Sequence, residues 1–403
     1  MPVEVRACTS VEELGRARAA IGHYVGSEYT AEGADRFAQW MDVERMHAAW
    51  DDGSIVGGAG AFSWGLSVPG GEVQAAGTTL VGVLPTHRRR GILTQLIRGH
   101  LDDVHARGEP VAYLWASEST IYGRFGYGLA SLCGTMRLPR ERTQFAGPFE
   151  PHGAVHLVGA EEAARVFPPL YDAVFALRPG LNRRSRAWWE ERRLRDDPAR
   201  RQGGPLNRVL LELDGQPAGY ALYTVEQSWE GGASSGKVHV VEAVSPSAEG
   251  TRELWRWLLD FDWTSQIVAD LLPVDHPLFL LLAEPRRMRF ELNDGLWVRL
   301  VDVGAALSAR LYRGEGGVVF DVRDSFCPWN EGRWRVSSSG ASRVDADADI
   351  ALDVTSLGSV YVGGFTFAEL AAAMRLEERV SGAVERADEL FSTGVKPWCA
   401  EIF

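Results

Sequence analysis

The apolar and polar positions divide the chain into three stretches with different periodicities. Over roughly the first 140 residues, helical and alternating periods take turns. Apolar and small residues over Val11–Val25 recur at helical spacing, with Ser10 placed as N-cap and Glu13 three residues on, the pattern of a capping box. Two strand-like runs, 47–50 and 54–62, flank Asp51-Asp52-Gly53, the residues of a tight hairpin. A further β-branched run over 74–83 ends at Leu84-Pro85. Ile92, Leu93, Leu96, Ile97, His100, Leu101 and Val104 then line one face of a helix that Gly108 closes, and Val111–Trp115 is the next strand. Such alternation predicts a layered α/β domain.

The second stretch repeats this order. Strands over 208–213 and 218–223 flank Asp214-Gly215 as the earlier pair flanked Asp52-Gly53. Lys237–Val244 stands where 74–83 stood, Ser245-Pro246 where Leu84-Pro85 stood, and a helix over 252–261 takes the place of 92–104. The arginines of His87-Arg88-Arg89-Arg90-Gly91 are replaced by Ser247-Ala248-Glu249-Gly250-Thr251. This reads as one fold used twice, the second copy stripped of its ligand chemistry. The third stretch, from Phe290, predicts a strand over 296–301, a short helix over 303–311 and strands over 317–322 and 333–337. An acidic segment, 344–353, leads through 356–362 to helical runs over 366–375 and Ala383–Phe391. Strands followed by segregated helices predict an α+β module.

Composition narrows the function. The 403 residues are 45% hydrophobic and carry 42 basic against 54 acidic side chains, a net charge of −12. That balance argues against a dedicated nucleic-acid binder and suits cationic ligands, although it serves solubility equally well. Cys8, Cys133, Cys327 and Cys399 lie outside metal-ligand spacing of one another and predict no disulfide framework. His152 and His156 have HxxxH spacing but lack the glutamate and a third ligand, so no metal is expected. The longest apolar stretch, near 267–279, contains Asp270, Pro273, Asp275 and Pro277, so no membrane span is expected. With no signal-peptide pattern at the N-terminus, a cytoplasmic protein is expected. The basic run of Arg183, Arg184, Arg186, Arg192, Arg193 and Arg195 is offset by Glu190, Glu191, Asp196 and Asp197. With Trp188 and Trp189 interleaved, it reads as a solvated or subunit-facing amphipathic helix.

Chemistry concentrates at 80–93, where a strand ends, a basic turn follows and a helix opens on glycine. Amides at a helix N-terminus lack internal partners and stand before the positive end of the dipole. The forked donors of neighbouring arginines add full charge, and Gly91 allows close backbone approach. These features suit a pyrophosphate, while Val81 and Val83 offer strand backbone to an extended, amide-bearing arm. A pyrophosphate joined to such an arm is coenzyme A. A basic helix start with no ligand is the other reading of the same spacing.

The run 81–97, with Ile121-Tyr122-Gly123-Arg124-Phe125-Gly126-Tyr127-Gly128 after the next strand, resembles the GNAT superfamily of N-acetyltransferases. More closely, the chain resembles the Eis (enhanced intracellular survival) branch of actinobacterial acetyltransferases along its whole length. The resemblance implies two tandem GNAT-like domains, the second degenerate, and a sterol-carrier-protein-like α+β domain. Their expected bounds are 1–140, 141–289 and 290–403, with the C-terminal tail entering the first domain's active site. It implies acetyl-CoA as acyl donor, with Val81 and Val83 along the pantetheine arm and Arg88, Arg89, Gly91 and Ile92 around the pyrophosphate. Ser117 would line the cofactor further along. Tyr122 would act as general acid, and the α-carboxylate of Phe403 as base. Glu401 is displaced one place from the acidic penultimate position of the best-known relatives, which Ile402 holds here. The region around Tyr24 and Glu28 aligns poorly with the family's acceptor pocket. The implied activity is acetyl transfer to primary amines of cationic acceptors, whether aminoglycoside-like, polyamine or lysine, by a homo-oligomer, often a hexamer. A rival from another class is a non-catalytic CoA-sensing or lipid-binding protein. Retention of Tyr122 and the basic turn in the first copy favours the enzyme.

Overall fold

The computed structural model describes residues 3–26, 28–198 and 201–403. The chain forms two compact units, one of Met1–Ser131, Leu296–Thr393 and Phe403, the other of Leu132–Gly295 and Gly394–Ile402. Among the described residues, no helix is long and apolar enough to cross a membrane.

The first unit opens with β1 (Glu4–Ala7), α1 (Val11–Val25), α2 (Ala31–Phe37), β2 (Met46–Asp51), β3 (Ser54–Val68) and β4 (Gly71–Val83). There follow α3 (Ile92–Ala106), β5 (Val111–Trp115), α4 (Ser119–Tyr122) and β6 (Gly128–Leu129). Asp52 (φ 47°) and Gly53 (φ 77°) are both left-handed, as a two-residue hairpin whose twist matches its strands requires. The Ser10 hydroxyl accepts from the Glu13 amide at 3.2 Å, but the expected capping box is not reciprocal. The Glu13 carboxylate accepts instead from the Thr9 amide at 2.8 Å and the Arg6 guanidinium at 2.8 and 2.9 Å, a charged partner winning over a neutral amide. In α3 the buried face is Ile92, Leu96, Ile97, His100, Leu101 and Val104.

The second unit comprises β7 (Leu132–Pro139), β8 (Ala154–Leu157), α5 (Ala160–Leu177), β9 (Asn207–Leu213) and β10 (Gln216–Glu226). Two short strands, β11 (Trp229–Glu230) and β12 (Ala233–Ser234), precede β13 (Lys237–Val244), α6 (Ala248–Leu258), β14 (Gln266–Pro273), α7 (Leu278–Leu281) and β15 (Glu291–Asp294). Its seven-stranded sheet runs β15-β7-β14-β13-β10-β9-β8. The antiparallel β10–β13 and parallel β13–β14 pairs repeat the β3–β4 and β4–β5 pairs of the first unit. The helix expected over 252–261 starts at Ala248, because the Ser247 hydroxyl accepts from the Gly250 amide and a polar first turn hides the onset. The basic run departs further from expectation. It forms a π-helical turn, Trp188–Arg193, with Trp188 and Trp189 buried and the Arg184 side chain wholly inside. Arg186 and Arg195 keep surface partners, Glu190 and Glu191.

The chain then returns to the first unit. β16 (Leu296–Leu300) pairs antiparallel with both β5 and β6, completing a sheet of order β1-β2-β3-β4-β5-β16-β6. After it come α8 (Val303–Ser308), β17 (Gly317–Arg323), β18 (Gly332–Ser337), β19 (Gly340–Arg343) and β20 (Ile350–Asp353). The last elements are α9 (Val354–Tyr361), α10 (Phe367–Ala372), β21 (Leu376–Glu378) and α11 (Ala383–Phe391). A five-stranded sheet, β19-β18-β17-β20-β21, carries helices joined through Phe320, Phe367 and Phe391. That is the strand-then-helix module expected of the third stretch.

Candidate active site

Registered pairing between β4 and β5 covers only Ala75–Val111, Ala76–Ala112 and Gly77–Tyr113. Beyond Gly77 the two parallel strands part. β4 also shifts register against β3, from Gly60–Thr79 to Gly58–Gly82, so Leu80 and Val81 lie opposite Ala59 alone. Leu80 takes φ 54° to make this bulge, which re-aims the end of the strand. Strained backbone of this kind clusters at functional sites because the surrounding structure must enforce it. Val81 is half-buried in the bulge, and the Val83 carbonyl accepts from the Tyr24 hydroxyl at 2.7 Å.

After β4 the chain makes a short 3₁₀ turn, Pro85–His87, and α3 opens with Gly91 as N-cap at φ 77°. A Cβ at Gly91 would meet no atom within 4 Å, so glycine there answers to its backbone angle rather than to crowding. Arg89 is left-handed as well, at φ 64°. The Ile92 side chain is buried with Val56, Ala59, Val83 and Leu96, so Ile92 can offer a phosphate only its backbone. Of the three arginines, Arg90 is held by Asp51 at 2.8 Å, which ties the turn to the β2–β3 hairpin, whereas Arg88 and Arg89 are exposed. Together with the α3 amides, this is a donor-rich, cationic surface suited to a pyrophosphate.

Tyr122 ends the short helix α4 and is buried, packed edge-on to Tyr127 with ring centroids 5.9 Å apart. Burial raises its hydroxyl above the ordinary tyrosine range, with the Ser117 side chain acting in the opposite direction. Ser117 itself is exposed. The Tyr127 hydroxyl lies 3.0 Å from Thr78 Oγ1, which lies 2.9 Å from His100 Nε2. Burial drives His100 far below its ordinary value, so its ring is neutral and Thr78 links two neutral groups. The sequence marked His100 only as one position of an apolar helix face, and Thr78 and Tyr127 were missed as its partners. A histidine on such a stripe is the one signal that could have prompted the search, since a buried imidazole requires a partner.

Phe403 sits on the other face of β4. Its ring packs edge-on against Trp64 and Tyr113, each at 5.1 Å. A Cβ on Gly77 would lie 3.3 Å from the Phe403 ring and 3.1 Å from Trp64, so glycine at the parting point makes room for the terminal aromatic. Because strand side chains alternate, Gly77 presents Phe403 on one face while Thr78 meets Tyr127 on the other. Trp64 in turn stacks on Phe62 at 4.5 Å. Neither Gly77 nor this aromatic seat was singled out from the sequence.

His152 and His156 bind carboxylates, His152 with Asp214 and Glu249 and His156 with Glu212. No group of three or more histidines, cysteines or acids placed to hold a metal occurs among the described residues.

Family models match three parts of the chain: an acetyltransferase (GNAT) domain over residues 6–130, a second over 180–300, and a sterol carrier protein domain over 303–400. The chain is 40% identical over 380 residues to an uncharacterized N-acetyltransferase of Streptomyces avermitilis, covering 91% of this chain and 92% of that one. It is 35% identical over 358 residues to the N-acetyltransferase Eis of Mycobacterium tuberculosis, covering 85% and 84% of the two chains. The crystal structure of Eis1 from Mycobacterium abscessus superimposes with a TM-score of 0.86 at 35% identity, over 99% of this chain and 100% of that one. A GCN5-related N-acetyltransferase from Anabaena variabilis shares the fold with a TM-score of 0.84 at 21% identity, over 100% of both chains.

Proposed function

Because the chain belongs to the Eis-like N-acetyltransferases of the GNAT superfamily, we propose that it transfers acetyl from acetyl-CoA to a primary amine, with Tyr122 as acid and the Phe403 carboxylate as base. The observation that carries this reading is the seat of Phe403 against Trp64, Tyr113 and Gly77, where β4 leaves β5. The parted strands expose a β4 edge on which the pantetheine amides can pair, with Val81 and Val83 at its end. Arg88, Arg89 and the Gly91 and Ile92 amides take the pyrophosphate.

An alkylammonium with a pKa of about 10 is unreactive until it loses a proton. The Phe403 carboxylate, the last group of this sequence, attracts the ammonium and takes that proton directly or through water. The free amine adds to the thioester carbonyl, forming the C–N bond; the nitrogen gives its second proton to solvent, and the C–S bond then breaks. The departing thiolate takes the Tyr122 proton, and solvent returns a proton to the phenolate. A tyrosine raised by burial stays protonated at neutral pH, as an acid for this step must. The acceptors this charge arrangement suits are polyamines, aminoglycoside-like molecules and lysine side chains.

The test is thiol release from acetyl-CoA across those three amine classes. It compares the protein ending at Phe403 with one extended by a few residues. Turnover above the acceptor-free rate is expected for the former, falling at least about 100-fold in the latter at unchanged acetyl-CoA affinity. A fully active extended protein would falsify the terminal-carboxylate step.

A further inference from the structure

The second unit contains its own parted strand pair. β13 and β14 are in register only from Lys237–Gln266 to Val240–Ala269, then separate as β4 and β5 do. In the first unit that parting lies beside the basic turn. In the second, the same feature holds a piece of this chain. Trp398 donates its indole N–H to the Leu271 carbonyl on β14, and its amide donates to the Pro179 carbonyl at 2.8 Å. A Cβ on Gly180 would come within 2.8 Å of the Trp398 carbonyl oxygen, so Gly180 admits the tail backbone. A cavity of about 120 Å³ remains between the strands, with Trp398 and Ala400 in its wall.

Glu401 is clamped more firmly still. Its side chain is 3% exposed and accepts from Arg184 Nε at 2.7 Å, Trp188 Nε1 at 2.7 Å and Asn182 Nδ2 at 3.3 Å. Arg184 also forks onto Glu242 at 2.9 and 2.6 Å, and Arg193 reaches Glu242 at 2.6 Å. Two cations and two anions are thus buried as a neutral set, the condition under which buried charge is tolerated. Burial would raise both carboxyls, but Arg184 and Arg193 hold Glu401 below the usual range and Glu242 at about 2.

Only Ile402 separates this clamp from Phe403, and two residues of extended chain reach no more than about 7 Å. We propose that the second acetyltransferase-like domain is the dock of the tail. In this assignment Arg184, Glu401 and Trp398 are positioning residues that fix where the terminal carboxylate can stand. Glu401 therefore acts on the reaction through the chain, not by touching the acceptor. The proposal rests on Phe403 as base for its catalytic consequence, and on the clamp alone for the docking.

Full-length wild type, Glu401→Gln, Glu401→Asp and Trp398→Ala are compared in two measurements. One is the rate at which a carboxypeptidase releases Phe403 from the folded protein. The other is kcat and KM for acetyl-CoA with an amine that the wild type accepts. Glu401→Gln leaves Arg184 and Arg193 facing one anion, so Phe403 release is expected at least 10-fold faster. Over the same comparison kcat is expected to fall about 10-fold with KM within 2-fold, and Glu401→Asp to recover part of both. Trp398→Ala tests the dock without touching the charges, and unchanged melting of either variant certifies its fold. Equal release rates in all four proteins overturn the dock whatever the chemistry, and faster release at unchanged kcat overturns the positioning role. Failure of the base itself shows separately, as undiminished turnover in wild type extended past Phe403.

Discussion

Gly77 and Thr78 are neighbours on β4 with opposite duties. One vacates the space that Phe403 fills, and the other ties Tyr127, which packs against Tyr122, to His100. If Tyr122 supplies the proton to the leaving thiolate, Tyr122→Phe removes only that oxygen from a packed ring. Turnover should then fall about 100-fold or more at neutral pH with the melting temperature nearly unchanged, as steady-state kinetics and calorimetry can check. Equal turnover would remove the acid role. At this scale the sequence placed a residue where it sits inside a motif, as with Gly91, which opens α3 as expected. It was silent where the partner comes from another element. Thr78 meets His100 only because a strand register and a helix phase coincide, and neither is written in local spacing.

At the scale of elements, the strand–turn–helix from β4 to α3 is the unit we propose to meet the cofactor. Arg90 is held by Asp51, so the exposed arginines left to meet a phosphate are Arg88 and Arg89. Replacing both with alanine should raise KM for acetyl-CoA at least about 10-fold while kcat at saturation stays within about 2-fold, because charge held equally in ground and transition states is uniform binding. The effect should shrink in high salt, where exposed charges are screened. Initial rates over a range of acetyl-CoA and salt concentrations measure both. The helices and hairpins themselves were legible from period and turn chemistry, and α6 was mistimed only by its polar first turn. The bulge at Leu80 was not legible, since nothing in an apolar strand announces a left-handed leucine. Nor did the repeat reveal which sheet takes Leu132–Pro139 or Leu296–Leu300, because both are ordinary apolar strands and pairing partners are a tertiary choice.

The molecule as a whole buries imidazoles and paired carboxylates in ways that make it acid-labile. Burial lowers His276 to about 3, and lowers His47 and His100 as well. As pH falls below about 6.5 the unfolded chain takes protons that these folded histidines refuse. Stability should therefore decline by about 1.4 kcal/mol per pH unit for each histidine still neutral in the fold. Glu242 adds the same sign lower down. Its folded value of about 2 makes its contribution complete above about 4.5 and lost as pH drops through 2. Melting temperatures taken from pH 7 to pH 5 should fall steadily, and His276→Asn should flatten the slope. An unchanged slope would mean that His276 does not titrate in this window. The net charge of −12 foretold none of this, because it counts charges without their burial.

The return of β16 to the first sheet also bears on how the protein is made. β5 ends at Trp115, and its partner β16 spans Leu296–Leu300, roughly 180 residues further on. At ribosomal speeds of about 5–20 residues per second, the interval is on the order of ten to forty seconds. Throughout it, a nascent chain carries an apolar strand edge, Val111–Trp115, with no mate yet synthesised. Translation pace and chaperone supply thus become determinants of yield. A gene fragment stopping near residue 140 would leave that edge permanently open and deliver aggregate where the intact gene delivers enzyme.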